Sequence, residues 1–321
     1  MEKVVEKKGK KFLLKVEDSS DHNDYLKYEE LRNEIWQWHE DSLASTRNMM
    51  CENFFYDGSS LYVAVFAEAG GGGFLRQDRE HLVGFAYGFV GVRDKRIGFR
   101  SLDNLWLYSQ YTGVKPGYER FGLGVLIKEF QKEALIDLFG VYTISCTYDP
   151  LTGVNAYRNI RYFGMEVIDY HADIYGAFGG RLNRVDVPSD RFAMLWDLRK
   201  DAVREGVDVQ SLFDEEHVVT QVGRSGVEGA NGLIELESLR GVELDKDNDA
   251  LLLEIPFDFY RMLRETDVED EGVRAIPQDW RMGAREAFQS YMKKGYRVVD
   301  FRQLDLETRK RNFYVLTREP R

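Results

Sequence analysis

Gly122 and Gly124 lie between a run of strand formers, Leu105 to Val114, and a stripe with helical spacing: Leu126, Phe130, Ala134, Leu135 and Leu138. The first turn of a helix leaves backbone N–H groups without partners and gathers partial positive charge. Glycines let an anion approach that backbone closely, so this spacing can hold a phosphate. A plain tight turn into a helix explains two glycines as well, and from the spacing alone that simpler account is preferred. Gln110, Tyr148 and Asp149 are placed near strand ends, where a group can pass a proton directly or through water. A turn before Pro150 accounts for Asp149 slightly better. The five histidines are scattered, and none stands in a nucleophile motif with Ser or Cys, which argues against triad hydrolysis.

Several elements must position these residues. Pro116–Gly117 turns the chain, Gly140 stops the helix, and Val141 to Tyr148 reads as a second strand, giving a β–loop–α–β unit. Upstream, Phe12 to Glu17 reads as a strand, and Ser19, Ser20 and Asp21 offer N-caps to a helix from about Tyr25 to Trp38. That helix has Leu26, Tyr28, Leu31, Ile35 and Trp38 as its apolar positions. Leu43 to Phe55 reads as a weaker helix. Trp36, Trp38, Phe54, Phe55 and Tyr56 suit core packing first and a pocket wall second. Leu61 to Glu68 and His81 to Arg93 form a hairpin across Gly70 to Gly73, a flexible connection with no helix start after it. Downstream, Asn155 to Phe163 is a short helix ended by Gly164, Met165 to Tyr170 a strand, and Arg191 to Leu198 a last strand.

The 321 residues allow two domains. A first is expected over 1–200, a connecting region over 201–249, and a C-terminal α/β region over 250–321 that packs on the first. In the last, Leu251 to Pro256, a helix from Pro277 to Lys294, and strands Arg297 to Phe301 and Asn312 to Thr317 give a strand–helix–strand order without a glycine pair. Hydrophobic content is 43%, ordinary for a globular chain. No apolar run approaches the ~18 residues of a membrane span, and the charged N-terminus lacks the apolar core of a signal peptide. No membrane partner and a cytoplasmic location are expected. Cys51 and Cys146 read as reduced core thiols, and no Cys/His spacing suggests a metal. Net charge is −11, and residues 201–321 hold 18 Lys+Arg against 26 Asp+Glu. That balance argues against nucleic-acid binding, which needs a basic face.

The run Val114-Lys-Pro-Gly-Tyr-Glu-Arg-Phe-Gly-Leu-Gly resembles motif A of the GNAT acyltransferase superfamily, with Tyr118, Gly122 and Gly124 in matching places. Glu119 departs from it by standing where the motif has Gln or Arg. Further runs resemble one subgroup of that superfamily: Leu107-Tyr-Ser-Gln, Tyr148-Asp-Pro-Leu, Asn155-Ala-Tyr-Arg-Asn, Tyr162-Phe-Gly, Asp173-Ile-Tyr-Gly and Pro188-Ser-Asp-Arg-Phe. Glu254-Ile-Pro, Trp280-Arg, Gly295-Tyr-Arg-Val and Phe313-Tyr-Val-Leu are similar to its long members, so the resemblance covers most of the chain. It implies the GNAT fold: an α/β (α+β) architecture whose mixed central sheet has splayed strands flanked by helices. The C-terminal strand–helix–strand then resembles a degenerate half of such a unit.

The resemblance also implies acetyl-CoA or another acyl-CoA as co-substrate, with no metal. Its pyrophosphate would lie on the loop of Glu119, Arg120, Phe121, Gly122, Leu123, Gly124 and Val125. Thr112, Gly113 and Val114 would face the pantetheine arm and thioester, and Asn155 would touch the cofactor, although Asn155 also suits a helix N-cap. Asp149 is the candidate base. The tyrosine that usually protonates the leaving thiolate, four residues before the helix-ending glycine, falls on Ile160, which leaves Tyr157 as the nearest substitute, although packing against coenzyme A or the core accounts for Tyr157 at least as well. Asp190 and Arg191 suit either a substrate contact or a structural ion pair. The implied activity is acetyl or succinyl transfer to the amine of a small molecule, an amino acid among the candidates. A non-catalytic acyl-CoA-binding protein is the alternative, motivated by Ile160 and Glu119. A homodimer is left open.

Overall fold

The computed structural model describes residues 1–37, 59–69, 76–176, 179–201, 208–306 and 309–318. The chain forms two compact units: Met1–Cys146 with Asp197–Arg199, and Thr147–Trp196 with Lys200–Arg321. The expected helix Leu43 to Phe55, the aromatic group Trp38, Phe54, Phe55 and Tyr56, Cys51 and the glycine run Gly70 to Gly73 lie outside the described residues.

The first unit is a mixed sheet flanked by helices. Its strands are β1 (Glu2–Lys7), β2 (Lys10–Val16), β3 (Ser60–Ala67), β4 (Leu82–Val92), β5 (Leu105–Val114) and β6 (Thr143–Tyr148), ordered β1-β2-β3-β4-β5-β6. All neighbours are antiparallel except β5 and β6, which run parallel. β1 goes beyond the sequence reading. Lys8 and Gly9, with φ of 50° and 73°, make the tight turn that pairs it with β2, and its exposed charged residues suit a sheet edge.

Helix α1 (His22–Trp36) starts at Asp21, whose carboxylate accepts from Asn23 N, and stops at Gln37 in a left-handed conformation. Tyr25, Tyr28, Leu31 and Ile35 are its core face, packed with Tyr62, Phe66, Phe85 and Tyr87. Leu26 is exposed, one position off that face. Helix α2 (Leu123–Phe139) buries Leu123, Ile127, Phe130, Ala134 and Leu135, while Leu138 faces out. Gly140 ends it with φ 62°. Each fully buried large side chain here is worth about 1.5–3 kcal/mol, which overrides the weak intrinsic preference of tyrosines for helix.

In the second unit, α3 (Gly153–Ala156) runs on into a π-helical turn, Tyr157–Tyr162, and Gly164 follows with φ 64°. β7 (Glu166–His171) and β8 (Arg191–Asp197) are antiparallel partners. The expected connecting region contains a hairpin, β9 (Thr220–Gly229) and β10 (Gly232–Val242), turned at Gly232 with φ 103°. It packs on α5 (Glu271–Lys293): Trp280 Nε1 donates to Glu237 O at 3.0 Å and Tyr291 to Glu243 O at 2.7 Å. A side chain at Gly283 would collide with Leu239, so the glycine lets helix and hairpin close up. α5 starts six residues before Pro277, because the Asp270 carboxylate caps Gly272 N and Val273 N. Before it comes α4 (Phe259–Glu265), capped by Asp258.

β11 (Ala250–Ile255), β12 (Tyr296–Leu306) and β13 (Arg309–Arg318) form a sheet ordered β11-β13-β12. β11 and β12 both pair antiparallel with β13, whereas β5 and β6 pair with each other directly. The C-terminal region therefore follows the strand–helix–hairpin order of β6, α3, β7 and β8. The second unit's range runs through the expected limits at residues 200 and 249.

Candidate active site

The loop before α2 is built by one turn of 3₁₀ helix and one left-handed glycine. Glu119–Phe121 make the turn, and Gly122 follows at φ 71° as the N-cap of α2. Val125 N and Leu126 N donate to Gly122 O, so Leu123 N and Gly124 N precede the helix's own hydrogen bonds. A Cβ at Gly122 would have no heavy atom within 4 Å, so the approach to this backbone is open. Phe121 and Leu123 are buried and contribute main chain only; Phe121 packs on Phe12 at 5.4 Å. The Glu119 carboxylate accepts from Gly117 N at 2.7 Å and so closes the preceding turn. Arg120 is exposed, its guanidinium 5.1 Å from the Phe121 ring.

β5 prepares an edge. Tyr87 faces Tyr111 and Gly88 faces Ser109, which leaves Gln110 as a bulge. Lys115 N donates to Val83 O at 2.8 Å, so strand alternation turns the N–H groups of Val114 and Thr112 away from β4. That is the β6 edge, where the parallel register joins Leu107 to Ile144 and Tyr108 to Ser145 while β5 continues to Val114. Gly113 lies under the end of α1, where a Cβ would stand 2.6 Å from the Trp36 ring. Trp36 also packs on Tyr111 and Phe85, so it belongs to the core. Behind β5, sequence reading missed a buried polar group: Lys128 Nζ donates to Ser109 Oγ at 2.6 Å, and Ser109 to Gln131 at 2.9 Å. Its signal was Lys128 and Gln131, three residues apart on the buried face of α2.

The second unit holds the remaining candidates. Asp149 is buried; its carboxylate accepts from Leu151 N at 2.9 Å and from Arg281, with Arg191 Nη1 at 3.6 Å. Both carboxylate oxygens are thus engaged, Oδ1 by Leu151 N and Oδ2 by Arg281. Tyr148 shares a hydroxyl contact with Tyr314 at 3.2 Å. Asn155 is in the first helical turn rather than at the cap, which is Thr152. Its Nδ2 donates to Thr152 Oγ1 at 3.0 Å and to the Tyr260 hydroxyl at 3.3 Å, and its Oδ1 accepts from Arg158 at 2.8 Å. Ile160 is buried, while Tyr157 is 51% exposed.

Asp190 is a structural partner. It accepts two bonds from Arg285, one from Tyr170 and one from Asp173 N. Burial alone would raise its carboxyl, but Arg285 and Tyr170 outweigh that and hold it below the usual aspartate range. Among the described residues, no group of three or more His, Cys, Asp or Glu side chains is placed to hold a metal ion. No described helix is long and apolar enough to cross a membrane.

No protein-family model matches the chain, and the search of curated proteins gives no match. Solved structures similar to part of it include Arabidopsis thaliana NAA60 in complex with acetyl-CoA, at 12% identity over 59% of this chain and 99% of that one, TM-score 0.40. Another is the ribosomal-protein-S18-alanine N-acetyltransferase from Escherichia coli, at 14% identity over 60% and 98%, TM-score 0.38. A third is the acetyltransferase of GNAT family from Streptococcus pneumoniae, at 11% identity over 58% and 99%, TM-score 0.39.

Proposed function

We propose that this protein is an acyl-CoA-dependent N-acyltransferase of the GNAT type, moving an acetyl or succinyl group directly to the amine of a small molecule. The observation that carries the reading is the sequence of two main-chain donor sets. The Thr112 and Val114 N–H groups face the edge that β6 has left, and the open Gly122 loop at the start of α2 follows within ten residues. The fit to coenzyme A is good at the loop, because the Glu119 carboxylate is tied to Gly117 N and the space over Gly122 is clear. Leu123 N and Gly124 N would hold the pyrophosphate, helped by the α2 dipole. The β5 edge would pair with the pantetheine amides, and an edge N–H would bind the thioester carbonyl as it gains negative charge.

The thioester supplies the acyl group. The amine nitrogen forms the C–N bond, the C–S bond breaks, the amine gives up one proton and the thiolate accepts one. Tyr157 is assigned the proton to the thiolate, and the amine proton leaves through water. A non-catalytic acyl-CoA-binding role is the second reading, favoured by the buried, apolar Ile160. Incubation with acetyl-CoA or succinyl-CoA and a panel of amines, including peptides with free N-termini, followed by free-thiol release, decides between them. Thiol release with any amine supports the enzyme. Calorimetric binding of coenzyme A without release across the panel supports the second reading.

A further inference from the structure

Four guanidinium groups and two carboxylates surround the turn after β6, all within the second unit. Asp149 lies against Arg281 and, at 3.6 Å, Arg191. Asp190 is consumed by Arg285, Tyr170 and Asp173 N. Arg158 reaches the same place, donating to Asn155 and Asn159. Arg281 is 1% exposed, and its Nε and Nη1 are buried with no hydrogen-bond partner among the described residues. Arg191 donates to the Asp190 carbonyl at 2.8 Å and the Asn183 amide oxygen at 3.4 Å, both neutral. Counting only Arg191, Arg281 and Arg285 against Asp149 and Asp190 leaves an excess of one positive charge in a chain whose net charge is −11. Buried charge without a partner is costly, and unused guanidinium donors beside it are costly as well.

Tyr260 completes the arrangement. Its hydroxyl oxygen accepts from Asn155 Nδ2, and among the described residues its own proton has no hydrogen-bond acceptor. Burial, with the Asp149 charge, holds the phenol above its ordinary range despite Arg191, Asn155 and Arg158, so it stays a donor at neutral pH.

We infer that Arg191 and Tyr260, backed by Arg281, form a binding site for one carboxylate group, and that this carboxylate belongs to the acyl acceptor. A guanidinium and a phenol O–H are both good donors to a carboxylate. Naming the carboxylate's bearer as the acceptor rests on the acyltransferase reading; the site itself does not. The acceptor class is then the amino acids, which carry an amine to be acylated and a carboxylate to be held.

The test is calorimetric titration of the full chain, without acyl-CoA, with each common L-amino acid and its carboxamide. The carboxamide keeps the amine and loses the negative charge. At least one amino acid should bind, with its carboxamide about tenfold weaker or worse. Tyr260→Phe, which removes one oxygen, and Arg191→Gln should each weaken that amino acid by about tenfold. Circular dichroism checks that each variant is folded, and the acid–amide comparison on the unaltered protein stands even if Arg191→Gln is not. No binding by any amino acid, equal binding of acid and amide, or undiminished binding by the folded variants overturns the site. Thiol release run in parallel separates the two ideas. Acid-selective binding without turnover of any amine keeps the site and sinks the acyltransferase; turnover of amides as fast as acids does the reverse.

Discussion

Gly122 is where the anion loop can be tested with least disturbance. Its φ of 71° suits glycine, and among other residues Asn and Asp tolerate that region best. Gly122→Asn and Gly122→Asp therefore share a backbone penalty of about 1 kcal/mol, or about 2–4 °C in Tm. Neither clashes, since nothing lies within 4 Å of the new Cβ. The Asp variant should melt no lower than the Asn variant, because a carboxylate at a helix N-terminus is favoured by the dipole. Coenzyme A affinity should separate them. A carboxylate about 5 Å from a bound phosphate, at an effective dielectric of about 20, costs about 3 kcal/mol, roughly two orders of magnitude in Kd. Calorimetry with coenzyme A should give Gly122→Asn within a few-fold of the parent and Gly122→Asp about a hundredfold weaker. Equal affinities for the two variants would place the phosphates elsewhere and remove the loop from the site.

Tyr157→Phe should lower turnover by about tenfold or more while coenzyme A affinity stays within a few-fold; full activity across the pH range would make solvent the acid. Thermal stability should form a plateau with two limbs. Asp190 and Glu17 titrate below their usual values when folded, so their contribution is present above about pH 4 and is lost as pH falls. Tyr28, Tyr260 and Tyr314 are raised, mainly by burial, so theirs is present below about pH 10 and is lost as pH rises. A Tm that climbs above pH 10 contradicts that assignment. Ending the chain at Arg199 should give no soluble, cooperatively melting fragment; one that melts sharply and keeps full activity would show that the C-terminal region is independent.

Local patterns were legible where caps and periodicity agree. β5 has the bounds its strand formers predict, and α1 begins at one of the three offered caps. The glycine loop was legible because all its parts are neighbours in sequence. The β9–β10 hairpin was legible only as short β-like pieces, Val218 to Val222 and Leu233 to Leu236, since the α5 surface that covers it lies about forty residues away, as with Trp280 and Glu237 O. The start of α5 was misread because Pro277 looks like a first-turn proline, while the working cap is Asp270. The roles of Asp149 and Asn155 could not be read for the same reason of distance. Arg281 is 132 positions from Asp149, and Tyr260 is 105 from Asn155. Nothing local marks either partner.

The turn from Tyr148 to Asn155 is held at successive points by side chains of the last seventy residues. Arg281 binds Asp149, the Tyr314 hydroxyl donates to Pro150 O at 2.7 Å, and Tyr260 receives the Asn155 amide. A Cβ at Gly153 would collide with the Asn312 amide, which is itself fixed by Phe257 O and Gln303. Beneath the turn, Phe192 packs edge-on against Phe288 and Tyr314. Apart from those that fix Asn312, each contact joins a residue before Arg199 to one after it. Removing the C-terminal region would expose Phe192 and Tyr170 and take Arg281 from Asp149 and Arg285 from Asp190. Breaking a buried pair from one side costs about 3–5 kcal/mol, and two such losses rival the whole stability of an ordinary domain. The C-terminal region is therefore the support on which the turn after β6 is shaped. A carboxylate site built on Arg191, Tyr260 and Arg281 exists only because residues from both sides of Arg199 fold as one unit.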